Sequence, residues 1–563
     1  MALLVRLGAS LITLFGSAFS NTTAQGAAPL TIVTGTLLGS GGHPMKLAHA
    51  RLLQAHDRGT VAETTVDPQG RYALATRITG AFYLDFTGVD HMRTMVPVVL
   101  QRSTTIEVDV YLQRYPYTDS LGQVAAIGDW NRFDPHTGRQ LVKQPDGDYT
   151  VEVESTADTV AYQLLNLTPG ASINGTDAIR YAYDGRGNYW SVIWTNGGRG
   201  TIVLDPRLLD RRPSEQRVTF RDRGSSAARL YQLVDTLDQW QQRYFDSSKA
   251  RGVSGRSSFA PVVQDVTARL IRERDPLLRQ ILLCSRLQWA YRGAPLDSSL
   301  AARILRGVPP SSLVWSFPTF GEPADMVFAY ARLTNAQATP DGAMRDSAAV
   351  RSGLAYLDSV VAQHPDLSVQ TAALSSAVFL AIGIQHRDQA NHYYERLVAN
   401  YPDAPLVPIL KARLAPDRVL RVGATVPDFR LFSLNDSTVV YTREGMLNKV
   451  YLLEFWATWC KPCLDDMPYL HQAYDSLHDQ GLEILSVSLD GSPSDVTKFR
   501  AGKWRMPWLH AFVHGGFHNP EMRQFEVLFL PRTALVDRYG KILAVDEDLR
   551  GEKLMAVVRR ALP

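Results

Sequence analysis

Two cysteines separated by two residues, Cys460 and Cys463, are the side chains of this sequence best suited to chemistry. An apolar run, Leu452–Ala457, precedes them, and an acidic segment of helical character follows. This order predicts a strand that delivers the pair to the start of a helix, where free backbone N–H groups stabilise the Cys460 thiolate. Pro462 suits the first helical turn, since its missing N–H costs nothing there. Cys463 would then lie within reach of a mixed disulfide on Cys460, which it could attack to release a reduced substrate.

Half of a zinc site is the alternative interpretation of the same pair. A complete site would need a second Cys or His pair at ligand spacing, and the only other cysteine, Cys284, lies far upstream. His510, His514 and His518 recur every four residues, but the glycines between the last two would interrupt a helix. We therefore expect a loop or strand edge at these histidines, no bound metal, and no cofactor beyond the redox-active disulfide.

The segment Phe455–Cys463 resembles the thioredoxin superfamily, and specifically the secreted TlpA/ResA-type thiol-disulfide oxidoreductases. Val422–Phe429 resembles the first strand of that family, and Ile484–Asp490 its next buried strand. Phe529–Ile542 resembles the family's ending, in which a proline is followed by a strand, a turn and a second strand. The resemblance covers residues 418–563 and implies a C-terminal α/β thioredoxin fold.

The resemblance also implies roles for two further residues. The family proline that matches Pro531 is cis and lies against the cysteine pair, where the neighbouring backbone pairs with substrate. Glu454 occupies the place of a buried acid that accepts the proton of the resolving cysteine, although an ordinary half-buried strand carboxylate is the alternative. Asp466 stands where relatives carry the longer Glu, so its role is open.

Composition and the N-terminal segment bear on location and partners. Lys and Arg number 59 against 56 Asp and Glu among 563 residues, for a formal net charge of +3, so no nucleic-acid surface is expected. Residues 1–24 combine Arg6, the apolar run Leu7–Phe19 and small polar residues, which predicts a signal peptide and a periplasmic or secreted protein. With only three cysteines, the chain has no structural disulfide framework. Cys284 is expected to be a buried apolar residue on a helix, the alternative being a redox partner or intermolecular bridge.

Residues 30–113 show period-two patterns broken by turns, which predict a β-sandwich. Asp67–Gly70 is a strong turn signal between two of the strands. The module resembles carboxypeptidase-regulatory-like domains. The predicted strands are Thr31–Leu38, Ala48–Ala55, Arg71–Ala75, Ala81–Phe86, Val96–Leu100 and Thr105–Leu112.

A second β-rich module is expected over residues 114–208. Gly128–Asn131 and Asp146–Val153 resemble segments of the immunoglobulin-like glycogen-binding modules, with the usual aromatic displaced. Trp190 and Trp194 alternate with apolar residues and could form a stacking platform for a glycan, but this pattern is more typical of a sandwich core. We therefore favour the core over glycan binding.

Helical periods dominate residues 214–415, where apolar residues recur every three or four positions. Leu354–Asp366 and His392–Asp403 resemble each other at a separation of about 37 residues, close to tetratricopeptide spacing. The pattern predicts a helical array that serves as a spacer, with partner docking as the alternative, followed by a linker at Leu414–Val422. The predicted helices are Ala227–Phe245, Val263–Arg272, Pro276–Tyr291, Ala324–Leu333 and Ala348–Gln363.

Taken together, the sequence predicts a multidomain protein with two N-terminal β-sandwich modules, an α-helical middle and a C-terminal thioredoxin fold. The function predicted from the cysteine pair and the resemblance is reduction of disulfides in client proteins, with a membrane-borne thiol reductant as electron donor. The alternative is an envelope scaffold that binds a glycan or protein and carries an accessory thioredoxin domain. A thiol peroxidase is less favoured, because Ala457 stands where peroxiredoxins carry threonine.

Overall fold

The computed structural model describes residues 30–562, apart from 103–104, 119–120, 170, 251–259, 292–301, 303–304, 321–347, 385 and 503. Its described residues fall into two compact units. One is drawn from Met1–Leu333 and Gln363–Val369, and the other from Thr334–Ala362 and Gln370–Pro563. The predicted signal peptide and the predicted helix Ala324–Leu333 lie outside the described residues.

The first unit opens with two four-stranded sheets. Their strands are β1 Thr31–Leu38, β2 Ala48–Gln54, β3 Thr60–Thr65, β4 Arg71–Thr76, β5 Gly80–Gly88, β6 Thr94–Leu100, β7 Thr105–Tyr111 and β17 Arg217–Phe220. The strand orders are β17-β7-β1-β4 and β3-β2-β5-β6. Val33 of β1 and Leu52 of β2 both point into one apolar core, so the two sheets pack face to face. Gly70 N–H donates to the Asp67 carbonyl at 2.8 Å, which confirms the predicted turn.

Two of these strands are not predicted by the sequence patterns. The edge strand β3 is largely exposed, so it lacks the apolar alternation that marks the others. Arg217–Phe220 lies in the region predicted to be helical, but it forms β17 and pairs antiparallel with β7. Phe220 explains the difference, because its ring is buried in the core of these two sheets.

The same unit contains two further sheets that share a core. Their strands are β8 Ala125–Gly128, β9 Arg139–Gln140, β10 Val142–Lys143, β11 Tyr149–Glu154, β12 Thr159–Thr168, β13 Ala171–Ile173, β14 Arg180–Tyr183, β15 Tyr189–Trp194 and β16 Arg199–Leu204. One sheet has the order β10-β11-β16, and in the larger one β14-β15-β12-β8-β9 are neighbours while β13 pairs with β12. Val153 and Ile202 from the first sheet share an apolar core with Tyr162 and Ile193 from the second.

The tryptophans of β15 differ from the expectation that they form the core. Ile193 points into the core between the two sheets, whereas Trp194 is 66% exposed. Trp190 is half-buried and its ring stacks on Phe133 at 5.1 Å. The core interpretation is therefore wrong for Trp194.

Helices follow β17 along the chain. Cys284 lies on one of them with none of its surface exposed, as predicted, and burial raises the pKa of its thiol. No helix in the described part of the chain is both long and apolar enough to cross a membrane. The helices before the C-terminal domain are Ser226–Ala250, Ala260–Arg272, Pro276–Tyr291, Ala348–Gln363, Leu367–Gly383, Arg387–Asn400 and Val407–Leu414.

The C-terminal domain is built on a five-stranded sheet. The strands of this domain are β18 Arg430–Phe432, β19 Val440–Thr442, β20 Val450–Trp456, β21 Leu482–Ser488, β22 Leu509–Phe512, β23 Arg532–Val536 and β24 Ile542–Val545. The sheet has the order β22-β21-β20-β23-β24. Neighbours β20, β21 and β22 are parallel, whereas β23 and β24 run antiparallel to the strands beside them. The central strand β20 is apolar on both faces, because Leu452 and Leu453 point into separate cores on opposite sides of the sheet.

Helices cover the two faces of this sheet. The longest of them, Lys461–Leu477, follows β20 directly and is called the cysteine helix below. The others are Arg443–Met446, Pro493–Ala501, Pro520–Gln524 and Lys553–Ala561.

The predicted linker Leu414–Val422 is packed against the C-terminal domain. Leu420 is fully buried in the same core as Phe429, and Val419 N–H donates to the Glu526 carboxylate at 2.9 Å. A proline within a polar stretch suggests a linker, but the apolar side chain of Leu420 anchors this segment.

Candidate active site

The cysteine pair lies where β20 ends and the cysteine helix begins. Cys460 is the N-cap of that helix, and Pro462 lies in its first turn. The two cysteines form a disulfide with a Cα–Cα distance of 5.3 Å, and Cys463 N–H donates to the Cys460 sulfur at 3.2 Å. The strand, turn and helix expected from the sequence are therefore present.

The two cysteines differ in exposure. Cys460 keeps 4% of its surface accessible, whereas Cys463 has none. Trp459, directly before the pair, is 60% exposed. Both cysteines are thus buried, and Cys460 is the less buried of the two.

Glu454 lies on β20 beneath the cysteine helix. It alternates with Leu452 and Trp456, which pack in the core that includes both cysteines, so its side chain lies on their face of the sheet. Only 2% of Glu454 is exposed. Burial raises its pKa to about 7, while the hydrogen bond from Ser486 opposes that rise.

Ser486 and Trp508 hold the Glu454 carboxylate in place. The Ser486 hydroxyl donates to Glu454 Oε2 at 2.5 Å, and Trp508 Nε1–H donates to Ser486 Oγ at 2.8 Å. Because the indole can only donate, the single hydroxyl proton of Ser486 is directed at the carboxylate. The sequence assigns no role to either residue. Ser486 meets Glu454 only through the pairing of β20 with β21, and Trp508 directly precedes β22, which pairs with β21.

Asp466, on the cysteine helix, has a partner of its own. Arg550 forms an ion pair with it, and Gly551 N–H donates to the same carboxylate at 3.3 Å. Arg550 Nη2 also donates to the Pro462 carbonyl at 3.1 Å. Burial raises the pKa of Asp466, and the positive charge of Arg550 opposes this. Arg550 thus links the acid to the turn that carries the cysteines.

Asp490 fixes the loop between β20 and the cysteine helix. Only 4% of the residue is exposed. Its carboxylate accepts from the Thr458 hydroxyl at 2.6 Å, from Thr458 N–H at 3.1 Å and from the Ser488 hydroxyl at 2.9 Å. Sequence reasoning places Asp490 only as the end of a strand. The sequence signal that could have identified it is an aspartate at the carboxyl end of β21, the strand beside the central strand β20.

We expect Asp490→Ala to lower the free energy of unfolding by about 1–3 kcal/mol, because it leaves the donors of half-buried Thr458 and buried Ser488 without their acceptor. Asp490→Asn keeps one carbonyl oxygen and should lose less than half as much. Urea titration followed by tryptophan fluorescence measures both. Equal losses in the two variants would contradict the role of these hydrogen bonds.

Pro531 directly precedes β23, which lies next to β20 in the sheet. The Leu530–Pro531 peptide bond is cis, as the family resemblance implied. Leu530 packs against the core that includes both cysteines. The proline segment and the cysteine pair thus border the same apolar cluster.

The three histidines spaced four apart do not share a helix. His510 lies in β22, where its Nε2 is 3.0 Å from the Met506 carbonyl, and His518 lies in a short 3-10 turn. Burial, with Arg500 nearby, lowers the pKa of His510 to about 4. Among the described residues no group of three or more His, Cys, Asp or Glu side chains is arranged to hold a metal ion.

Comparisons with known proteins place this geometry in a family. A thioredoxin-like family model matches residues 448–542, which include β20, both cysteines and Pro531. Thiol-disulfide oxidoreductase ResA of Oceanobacillus iheyensis is 38% identical over 85 residues, 15% of this chain and 44% of that protein. The C-terminal region is a TlpA/ResA-type thioredoxin-like domain.

Other relatives match this thioredoxin-like domain at similar levels. ResA of Geobacillus thermodenitrificans is 34% identical over 125 residues, 22% of this chain and 66% of that protein. The thioredoxin domain of a thiol-disulfide oxidoreductase from Bacteroides vulgatus is 25% identical, with 26% of this chain and 99% of that chain covered and a TM-score of 0.23. The chain thus spans less than half of the Oceanobacillus iheyensis relative, and the assignment of the domain rests on the sequence matches.

Proposed function

We propose that this protein is an extracytoplasmic thiol-disulfide oxidoreductase that reduces disulfide bonds in client proteins. The observation that carries the proposal is the cysteine pair at a helix N-terminus, with 4% of Cys460 exposed and Cys463 fully buried. The ResA relatives, which are thiol-disulfide oxidoreductases by name and match the same domain, support the activity.

The reaction has two exchange steps. The Cys460 thiolate attacks one sulfur of the client disulfide, so that a mixed disulfide forms and one client thiolate leaves. Glu454 then takes the proton of Cys463, and the Cys463 thiolate attacks the Cys460 sulfur. The Cys460–Cys463 disulfide forms, the second client thiolate leaves, and two electrons have passed to the client.

Helix geometry favours the first step. The N-terminal end of the cysteine helix stabilises negative charge, and the N–H of Cys463 already points at the Cys460 sulfur. In the reduced protein these groups would stabilise a thiolate on Cys460, which is the attacking species.

We infer the location from the sequence, and the electron donor from the family resemblance. Residues 1–24 have the pattern of a signal peptide, and the chain does not use its cysteines as structural staples. A thiol reductant in the cytoplasmic membrane would return the disulfide to the dithiol. The reaction needs no cofactor beyond the cysteine pair.

The regions before the thioredoxin-like domain would have structural roles beside it. Residues 30–113 together with β17 would be a carboxypeptidase-regulatory-like sandwich, and 114–208 a glycogen-binding-like sandwich. A tetratricopeptide-like array would lie within 214–415, and the redox domain at 418–563. The structure has paired sheets in the two N-terminal regions and helices after them, which is the secondary structure that these assignments require. The repeat arrangement of the helices stays a prediction.

The deciding experiment measures the reduction potential of the Cys460–Cys463 pair together with turnover of a protein disulfide. The potentials of Cys-x-x-Cys oxidoreductases span roughly −270 to −120 mV, and a dedicated reductant lies near the lower end. We expect a value within about 40 mV of that end and catalysed reduction of insulin. A value near the upper end would make the protein an oxidant, and absence of a two-electron transition would remove the redox function.

Exposed Trp194 favours a second candidate, an envelope scaffold that binds glycans. Trp190 and Trp194 lie on the same face of β15, and an exposed indole can stack on a sugar ring. Polysaccharide affinity gels with wild type, Trp194→Ala and a variant lacking both active-site cysteines test this. Retardation that depends on Trp194 and survives loss of the cysteines would support the scaffold, and no retardation would exclude it for the glycans used.

A further inference from the structure

A buried charge follows the cis proline directly. Arg532 has no exposed surface, and its guanidinium forms an ion pair with Asp546, which is 5% exposed. Its Nη2 also donates to the Ala412 carbonyl at 2.8 Å. A buried guanidinium needs such partners, because an unpaired one would be costly. The start of β23 is thereby tied to the helix Val407–Leu414, called the junction helix below.

The junction helix contributes a second arginine to the same segment. The Arg413 guanidinium lies 5.2 Å from the centre of the Phe529 ring, and that of Arg532 lies at the same distance. Both distances suit cation–π attraction. Arg413 also forms an ion pair with Glu547. Phe529, two residues before Pro531, is therefore held by one cation from its own segment and one from the junction helix.

The segment that follows the junction helix is also held by specific contacts. Arg418 is 7% exposed and donates to the Ala415 carbonyl at 2.9 Å. Leu420 is anchored in the core of the domain. The junction helix is thus packed against the redox domain through its own contacts and through the segment that follows it.

We propose that the junction helix positions the cis-proline segment for binding of client disulfides. It does so through the cation–π contact of Arg413 with Phe529 and through the hydrogen bond that the Ala412 carbonyl accepts from Arg532. The inference rests on the proposed function, and on the family resemblance, which implies that backbone beside Pro531 pairs with the client. The junction helix precedes residue 448, where the family match begins. The helical region is then part of client recognition and not only a spacer.

This arrangement predicts which kinetic constant depends on the junction helix. Arg413 and Arg532 are positioning residues, since they act on Phe529 and the backbone and not on the sulfur atoms. A shift of the cis-proline segment weakens docking of a polypeptide, whereas a small thiol reaches Cys460 without using that segment. The Michaelis constant for a protein client should change, and exchange with small thiols should not.

The test uses the full-length protein with Arg413→Met. Insulin reduction gives kcat and KM, and stopped-flow fluorescence gives the rate at which dithiothreitol reduces the Cys460–Cys463 disulfide. We expect KM for insulin to rise about threefold to tenfold, the loss that one cation–π contact represents. The kcat and the dithiothreitol rate should stay within about twofold of wild type, and the reduction potential should not change. Lys411→Met removes a cation from the exposed side of the same helix and should leave all four quantities unchanged.

Several outcomes would overturn the positioning role. An unchanged KM in folded Arg413→Met would do so, and so would a parallel fall in kcat and in the dithiothreitol rate, which marks general destabilisation. If Arg413→Met does not fold, Phe529→Leu removes the ring but keeps both arginines, and the same rise in KM is required. Absence of turnover in the wild type would refute the proposed function, whereas wild-type turnover with an unaltered KM in the variants refutes the positioning role alone.

Discussion

Replacing Cys460 by serine should abolish disulfide exchange, whereas replacing Cys463 by serine should trap the client as a mixed disulfide. In the proposed reaction Cys460 attacks the client disulfide first, and a serine hydroxyl is not an effective nucleophile towards disulfides at neutral pH. We expect Cys460→Ser to lower turnover by roughly a thousandfold or more. Cys463→Ser keeps the first step and loses the second, because the buried resolving thiol is gone.

Non-reducing gels and intact mass measurement would detect the trapped species, whose mass should equal that of the enzyme plus one client chain. Cys284→Ser is the matched control, since Cys284 is fully buried in a helix of the other compact unit. It should leave turnover within about twofold of wild type. Full turnover in both active-site variants would show that the site lies elsewhere.

Replacing Glu454 by glutamine should slow the second step by about a hundredfold to ten-thousandfold, the range that one positioned proton acceptor contributes. With a pKa of about 7, Glu454 can take a proton from Cys463 and return it near neutral pH. In the wild type the rate of this step should rise with pH through about 7, as the carboxylate form appears. The variant should show no such rise.

Single-turnover decay of a preformed mixed disulfide, measured from pH 5 to 9, reports this step. Ser486→Ala removes a hydrogen bond that lowers the pKa of Glu454, so its profile should move to higher pH. Glu483→Gln, on the neighbouring strand, is the matched control and should follow the wild-type profile. Identical profiles for wild type and Glu454→Gln would contradict proton transfer to Glu454.

The same carboxyl group links stability to pH. Its folded pKa of about 7 lies above its ordinary value of 4.5, so the folded state binds the proton more tightly than the unfolded state does. This contribution to the free energy of unfolding is present below about pH 4.5 and is lost as pH rises through about 7. Glu454→Gln should remove that slope from unfolding curves recorded across the range.

The features that sequence reasoning captures depend on local signals. The run Leu452–Ala457 is apolar on both faces because helices cover both sides of its sheet, and Cys460 with Pro462 marks a helix start. These signals need only a few neighbouring residues. They suffice for the central strand, the cysteine helix and the period-two strands of the first module.

The missing features depend on contacts between distant residues. Ser486 reaches Glu454 only once two strands are in register, and Asp490 meets Thr458 across 32 residues of chain. Neither contact leaves a periodic pattern. Trp194 is misassigned for a related reason, because alternation alone does not tell which face of a strand is covered by the second sheet.

The pairing of β7 with β17 has a consequence for the order in which the protein can be assembled. Tyr111 of β7 pairs with Arg217 of β17, and the second module lies between these two residues in the sequence. The ribosome therefore synthesises the whole second module after β7 and before β17. While a ribosome works from the N-terminus, β7 is paired on one side only, and an open strand edge invites pairing with other chains. The first module is therefore exposed to such encounters until about a hundred further residues have been synthesised.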